Sequence, residues 1–232
     1  MKLLNTTASN TKIKKTQNKP NNYFGKPVRM ASLSMMPDHI ICAGSKAAGC
    51  MDACLKEAGL AAVYDSVNIA RQKKTDYWHA DQTGFLDQLT RELRNFKKLC
   101  DKQNGQGVVR LNVLSDIPFE KHGIPQHFPD LFFYDYTKQA KRLGNTPDNY
   151  RLMFSYSDRP KYQKQVAAAL PTGVPIAVVF KNSIPTEYLG DLSDLDNVMA
   201  GPVVVGLTAK GPALHDDSGF VVDGNMIFRA AA

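Results

Sequence analysis

Cys42, Cys50 and Cys54 fall within one run of 13 residues, and thiols gathered that tightly suit iron–sulfur or zinc ligation. Cys50 and Cys54 are four apart in SKAAGCMDACLKEAGL, a stretch rich in Ala, Leu, Lys and Glu, so a helix there puts both sulfurs on one face. Cys42 lies just ahead of Gly44, and a loop folds it back over the helix start. Cys100, 46 residues beyond Cys54 and at the end of a different predicted helix, is not assigned by spacing. Two other readings of the trio stand beside metal binding. Free cysteines serve as small core residues. A disulfide is the third, against which stand a polar, basic N-terminus without an apolar run of signal length and a cysteine density below that of stapled secreted domains.

Other chemistries find less support. Asp191, Asp194 and Asp196 in GDLSDLDN share part of a calcium-loop pattern, but its glycine and terminal glutamate are missing, and a solvated turn is expected. His215, Asp216 and Asp217 could act in acid–base or metal chemistry, yet the five histidines form no ligand spacing. GSKAAG lacks the Lys-Ser/Thr ending of a phosphate loop, and no Gly-x-Ser-x-Gly turn occurs.

The elements that must position the thiols are readable from periodicity. Between Asp81 and Gln103 the apolar residues Phe85, Leu86, Leu89, Leu93, Phe96, Leu99 and Cys100 recur at three and four, which predicts an amphipathic helix. After it come five strand-length apolar runs, from Val108, Leu131, Tyr150, Pro175 and Val203, each bounded by turn residues. Helix-compatible stretches from Thr137 and Tyr162 lie between them. Alternation of this kind predicts an α/β fold, either a partial (βα) barrel or an open, mostly parallel sheet with flanking helices. In such folds the C-terminal strand ends converge on one face, where ligands bind. That face is expected to carry Asn112, Ser115, Asp116 and Ser155 toward a cofactor, and Arg110, Asp135, Lys138, Lys181 and Lys210 toward a substrate. Three lysines following strands closely favour an anionic ligand, a nucleotide or nucleic acid. Arg110, inside an apolar run, either pairs with Asp116 or Asp135 or faces a ligand.

The 232 residues and 43% hydrophobic content describe an ordinary globule with a sizeable core, and no stretch approaches the roughly 20 apolar residues of a membrane span. The net charge of +7 is uneven. Residues 1–29 hold seven Lys or Arg and no acid, and beyond them 22 basic residues meet 22 acidic ones. The organisation expected is a basic arm over 1–30, packed on or leading into a single α/β domain over 31–232. The arm could contact phosphates of a nucleic acid. A reducing cytoplasm, that of a host cell, is the expected location, with no membrane partner.

The stretches SNTKIKKT from Ser9, RMASLSMMP from Arg29, NIARQKKT from Asn68, VRLNVLSDI from Val109, FFYDYTK from Phe132, NYRLMFSYS from Asn149, IAVVFKN from Ile176 and VVVGLTAKGPALHDDSGFV from Val203, with the cysteine run, resemble the bacteriophage gene product eighty-eight family. The likeness covers nearly the whole chain and implies no particular activity. More distantly, a three-cysteine loop ahead of βα units is similar to radical S-adenosylmethionine enzymes, although the spacing here is Cys-x7-Cys-x3-Cys rather than Cys-x3-Cys-x2-Cys. That likeness implies a [4Fe-4S] cluster with one open iron that binds S-adenosylmethionine. The rival expectation is a non-catalytic nucleic-acid-binding protein stabilised by zinc, with Cys100 or His39 as fourth ligand. A third is an inhibitor of a host factor with inert thiols.

Overall fold

The structure is a computed structural model that describes residues 1–6 and 22–223. Its centre is an eight-stranded sheet: β1 (Leu4–Asn5), β2 (Val28–Leu33), β3 (Gln106–Arg110), β4 (Phe132–Thr137), β5 (Tyr150–Ser155), β6 (Ile176–Phe180), β7 (Val204–Thr208) and β8 (Val221–Val222). Strands β2 to β7 lie side by side in chain order and all run parallel. β1 adds an antiparallel edge beside β2. β7 occupies one edge of β6, so β8, pairing Val221 with Val179 and Val222 with Phe180, takes the other edge beyond the point where β5 departs. The sheet is open, as one of the two expected architectures requires, and is not a closed barrel.

The five apolar runs all form strands because each is short, β-branched or aromatic, and ended by turn residues. Among the helices, α1 is Ser45–Ala48, α2 Asp65–Ala80, α3 Gln82–Lys102, α4 Gln163–Ala169 and α5 Asp194–Met199. In α3 the buried residues Phe85, Leu89, Leu93, Phe96 and Cys100 form the predicted stripe, and Asp81 starts the helix by accepting a hydrogen bond from the Gly84 N–H at 2.8 Å. The main core joins this stripe, with Val166 and Ala169 of α4, to Val109, Phe133, Tyr150, Leu152, Phe154 and Val178. Side chains alternate along a strand, so the opposite face carries Val28, Met30, Val108, Phe132, Tyr134, Met153, Ala177 and Val205. Leu195 and Val198 of α5 cover that face.

Several expectations are corrected. The helix expected through the cysteine run stops after four residues, because Gly49 takes a left-handed conformation (φ 74°) that caps it. Cys50 and Cys54 therefore lie in turns and share no helix face. The stretch after Thr137 yields only a 3-10 turn, Ala140–Arg142. GDLSDLDN is no solvated turn: Ser193 caps α5 by accepting from the Asp196 N–H at 3.1 Å, and Asp194 is buried. β1 and the start of β2 both come from the first thirty residues. Lys12, Lys14, Lys15 and Lys19 of the basic arm lie outside the described residues.

Candidate functional site

The three cysteines belong to the long loop that follows β2, the first of the parallel strands, and this loop lies over the C-terminal strand ends. Its placement comes from close backbone approaches that large side chains could not make. A Cβ on Gly44 would stand 2.6 Å from the Lys138 Cβ, and one on Gly49 would stand 2.5 Å from Arg159 Nη1 and 2.7 Å from Ser218 Oγ. Hydrogen bonds secure the same seam: Ser157 Oγ donates to the Ala48 carbonyl (2.7 Å) and Ser218 Oγ to that of Gly49 (3.3 Å). The loops after β4 and β5 and the loop before β8 thus hold the cysteine segment from three sides.

All three thiols are partly exposed and unpaired. Cys42 Sγ donates to the Leu114 carbonyl at 3.3 Å. Burial pushes the Cys42 thiol well up, and Cys50 and Cys54 push it further, which places the three sulfurs in one electrostatic neighbourhood. Burial also raises Cys50, against which the Lys138 ammonium works, and raises Cys54, against which the Lys56 N–H and Lys138 work. Lys138 Nζ donates to Ser155 Oγ at 2.6 Å and lies 4.5 Å from the centre of the Phe220 ring. Arg71, near enough to Cys54 to be influenced by it, donates to the Lys56 carbonyl and to Asn68 Oδ1, each at 3.0 Å. Among the described residues, none of Lys138, Arg71 and Arg159 pairs with a carboxylate. Burial, with Asp116 adding negative charge beside Cys42 and Cys50, keeps the three as thiols, and the cations work against that shift.

A second polar group lies beneath the first. Asp135 accepts from the Asn112 backbone N–H (2.7 Å), Asn112 Nδ2 (3.0 Å) and the Tyr150 hydroxyl (2.8 Å). Asn112 Oδ1 accepts from Ser115 Oγ and the Ile117 N–H, both at 2.8 Å. Arg142 pairs with Asp116 and makes two parallel bonds to Glu120 at 2.8 and 2.9 Å. Burial lifts Asp135 to about 6, even though Arg110 pulls it down. Asn112, Ser115, Asp116 and Asp135 are thus occupied by one another, by Arg142 and by nearby backbone.

Of the residues expected at the site, the structure brings Cys42, Cys50, Cys54, Lys138 and Ser155 together, with Asp116 adjoining. Lys181 and Lys210 follow β6 and β7 on the same edge and are exposed. Arg110 is elsewhere. It points to the α5 face and pairs with Asp194 rather than Asp116 or Asp135, its guanidinium 4.8 Å from the Tyr136 ring centre. Cys100 is buried against Gly107 and Phe96 where β3 begins, at the opposite end of the strands from the other thiols, and His39 Nδ1 is engaged with Ser45 Oγ at 3.2 Å. Arg71, Arg159 and Phe220 were not foreseen. Arg159 follows Asp158 directly, so extending the β5 tip by one residue would have found it.

Among the described residues no group of three or more His, Cys, Asp or Glu side chains is arranged to hold a metal ion, and the zinc set with Cys100 or His39 is not assembled. Nor is any helix there long and apolar enough to cross a membrane. Residues 2–224 match the Gene product 88 family, and the chain belongs to that family of phage gene products. No curated protein and no solved structure matches the chain at a significant level.

Proposed function

We propose that this Gene product 88 protein is a phage-encoded redox enzyme whose Cys42, Cys50 and Cys54 hold an iron–sulfur cluster at the strand-tip mouth, where it acts on an anionic substrate of nucleotide type. The observation that carries the reading is three thiols on the loop after the first parallel strand, with Lys138 and Arg71 acting on them and Arg159 against Gly49, none of these cations ion-paired with a carboxylate among the described residues. Donor chemistry fits: thiolates are the ligands such clusters take.

Such a cluster, when bound, supplies electrons and, with three protein ligands, an iron open to a cofactor such as S-adenosylmethionine. The chain's own residues supply the rest. Lys138, Arg71 and Arg159 offset negative charge at the thiolates, and Ser155 fixes the Lys138 ammonium. Phe220 screens that ammonium from water on one side. Lys181 and Lys210, exposed on the same edge, are placed to receive the anionic part of a substrate.

Anaerobic purification with iron and sulfide analysis tests this. A brown protein with iron and sulfide, lost when all three cysteines become serine, is expected. Colourless protein without iron, or zinc held by these thiols, would overturn it. Release of 5′-deoxyadenosine from S-adenosylmethionine under reducing conditions is expected of the loaded protein, and its absence would remove the cofactor from the reading.

A further inference from the structure

On the α5 face of the sheet two buried polar atoms lack any hydrogen-bond partner: Arg110 Nε and the Tyr134 hydroxyl. Tyr134 is fully buried, and the Arg110 side chain is 14% exposed. The two residues belong to neighbouring strands, and the Arg110 guanidinium lies 6.0 Å from the Tyr134 ring centre. On β2, Ser32 registers with Arg110, and two residues on the Ser34 hydroxyl is buried without a partner as well. A buried donor left unmade costs about 1–3 kcal/mol, so two or three on one face call for an occupant.

The charge balance says what kind. Asp194 already neutralises Arg110, and its guanidinium is further engaged by the Tyr136 ring. What remains is a pair of N–H and O–H donors in an aromatic setting with no spare charge, which suits an uncharged planar ring bearing carbonyl or ring-nitrogen acceptors better than an oxyanion. Lys138 follows Tyr134 by four residues, just past the end of β4 and about 13 Å along the chain direction. That is roughly the reach from a nucleobase edge to its 5′-phosphate.

We propose that Arg110 and Tyr134 form a nucleobase subsite on the α5 face, with the phosphate of the same nucleotide directed to Lys138 at the mouth. The assignment rests on the substrate class proposed above but not on the cluster. Arg110, placed at the mouth as an anion receptor by the sequence, becomes a reader of neutral acceptors.

The test is thermal stabilisation and equilibrium dialysis of the full chain with guanosine, uridine and inorganic phosphate, using the native protein, the triple cysteine-to-serine variant and Tyr134→Phe. A nucleoside is expected to raise the melting temperature of the native and triple-serine proteins alike. Tyr134→Phe should fold with unchanged stability, since its hydroxyl bonds nothing, and bind the nucleoside about tenfold more weakly, as loss of one hydrogen bond predicts. Nucleoside binding that vanishes in the triple-serine variant would overturn the separation from the thiols. If no nucleoside binds, or if inorganic phosphate binds and no nucleoside does, the assignment fails. It fails equally if Tyr134→Phe loses stability without any effect of nucleoside, because the hydroxyl then serves a resident structural water. Iron content is measured on the same preparations, so failure of the cluster and failure of the subsite are read separately.

Discussion

Two polar groups sit within a few residues of each other at the strand ends, and they differ in how their charges are met. Around Asp135 and Arg142 the polar groups are met within the group: Arg142 pairs with Asp116 and Glu120, and hydrogen bonds run from Ser115 through Asn112, Asp135 and Tyr150 to Arg142 and Glu120. Around the thiols none of Lys138, Arg71 and Arg159 is ion-paired with a carboxylate among the described residues. A network closed on itself rigidifies the fold and leaves nothing for a ligand. Charge left over at an exposed mouth does the opposite. The same residue types, at tips of the same strands, are therefore scaffold in one place and site in the other.

The contrast can be broken most forcefully at Arg142. Arg142→Ala strands Asp116 and Glu120 in the interior, and urea denaturation should show a loss of about 3–5 kcal/mol, far more than any substitution at Lys138 or Arg159. Gly44→Ala comes next. Its Cβ would press on the Lys138 side chain at 2.6 Å, which should cost about 1–3 kcal/mol and reduce iron retention, read by metal analysis after gel filtration. Asp135 provides a pH test. Its folded value near 6 lies above the ordinary carboxylate value of 3.8, so the native state binds the extra proton between these limits. Stability should then fall as pH rises from about 4 to about 6, on the order of 1–2 kcal/mol, and Asp135→Asn should flatten that slope. The smallest effect is sought at Lys138→Met. It leaves stability within about 0.5 kcal/mol, as expected for a group without a buried ion pair, yet slows alkylation of Cys50 in metal-free protein several-fold, because the ammonium that favours the thiolate is gone.

How much of this was legible without coordinates follows from the range of the interactions. Strands β3 to β7 and helix α3 announce themselves because their burial is local and periodic. Helix α2 does not: across Asp65–Ala80 only Thr75 and Trp78 are buried, so no apolar stripe marks it. Strand β2 was hidden behind a basic arm. The cysteine run misled because composition favoured helix while one residue, Gly49, ended it. Arg110 and Asp194 are 84 positions apart, and only tertiary folding brings α5 over the sheet to join them. The convergence of the cysteines with Lys138 and Ser155 was readable from the rule that parallel strands end on one face. Which polar tips would be consumed by one another was not, because that depends on Arg142 and Tyr150, neither of which follows a strand.

The sheet is filled in chain order except at its last place. β8 enters beside β6 after β7 is laid down, and its leading loop brings Ser218 and Phe220 against residues 42–54. During synthesis the thiol segment leaves the ribosome more than 150 residues ahead of the loop that encloses it. Throughout that interval one flank of the thiol segment stays uncovered, and emergence of residues 216–222 shuts it. Translation itself thereby sets the order of events: the thiols are accessible first and enclosed last.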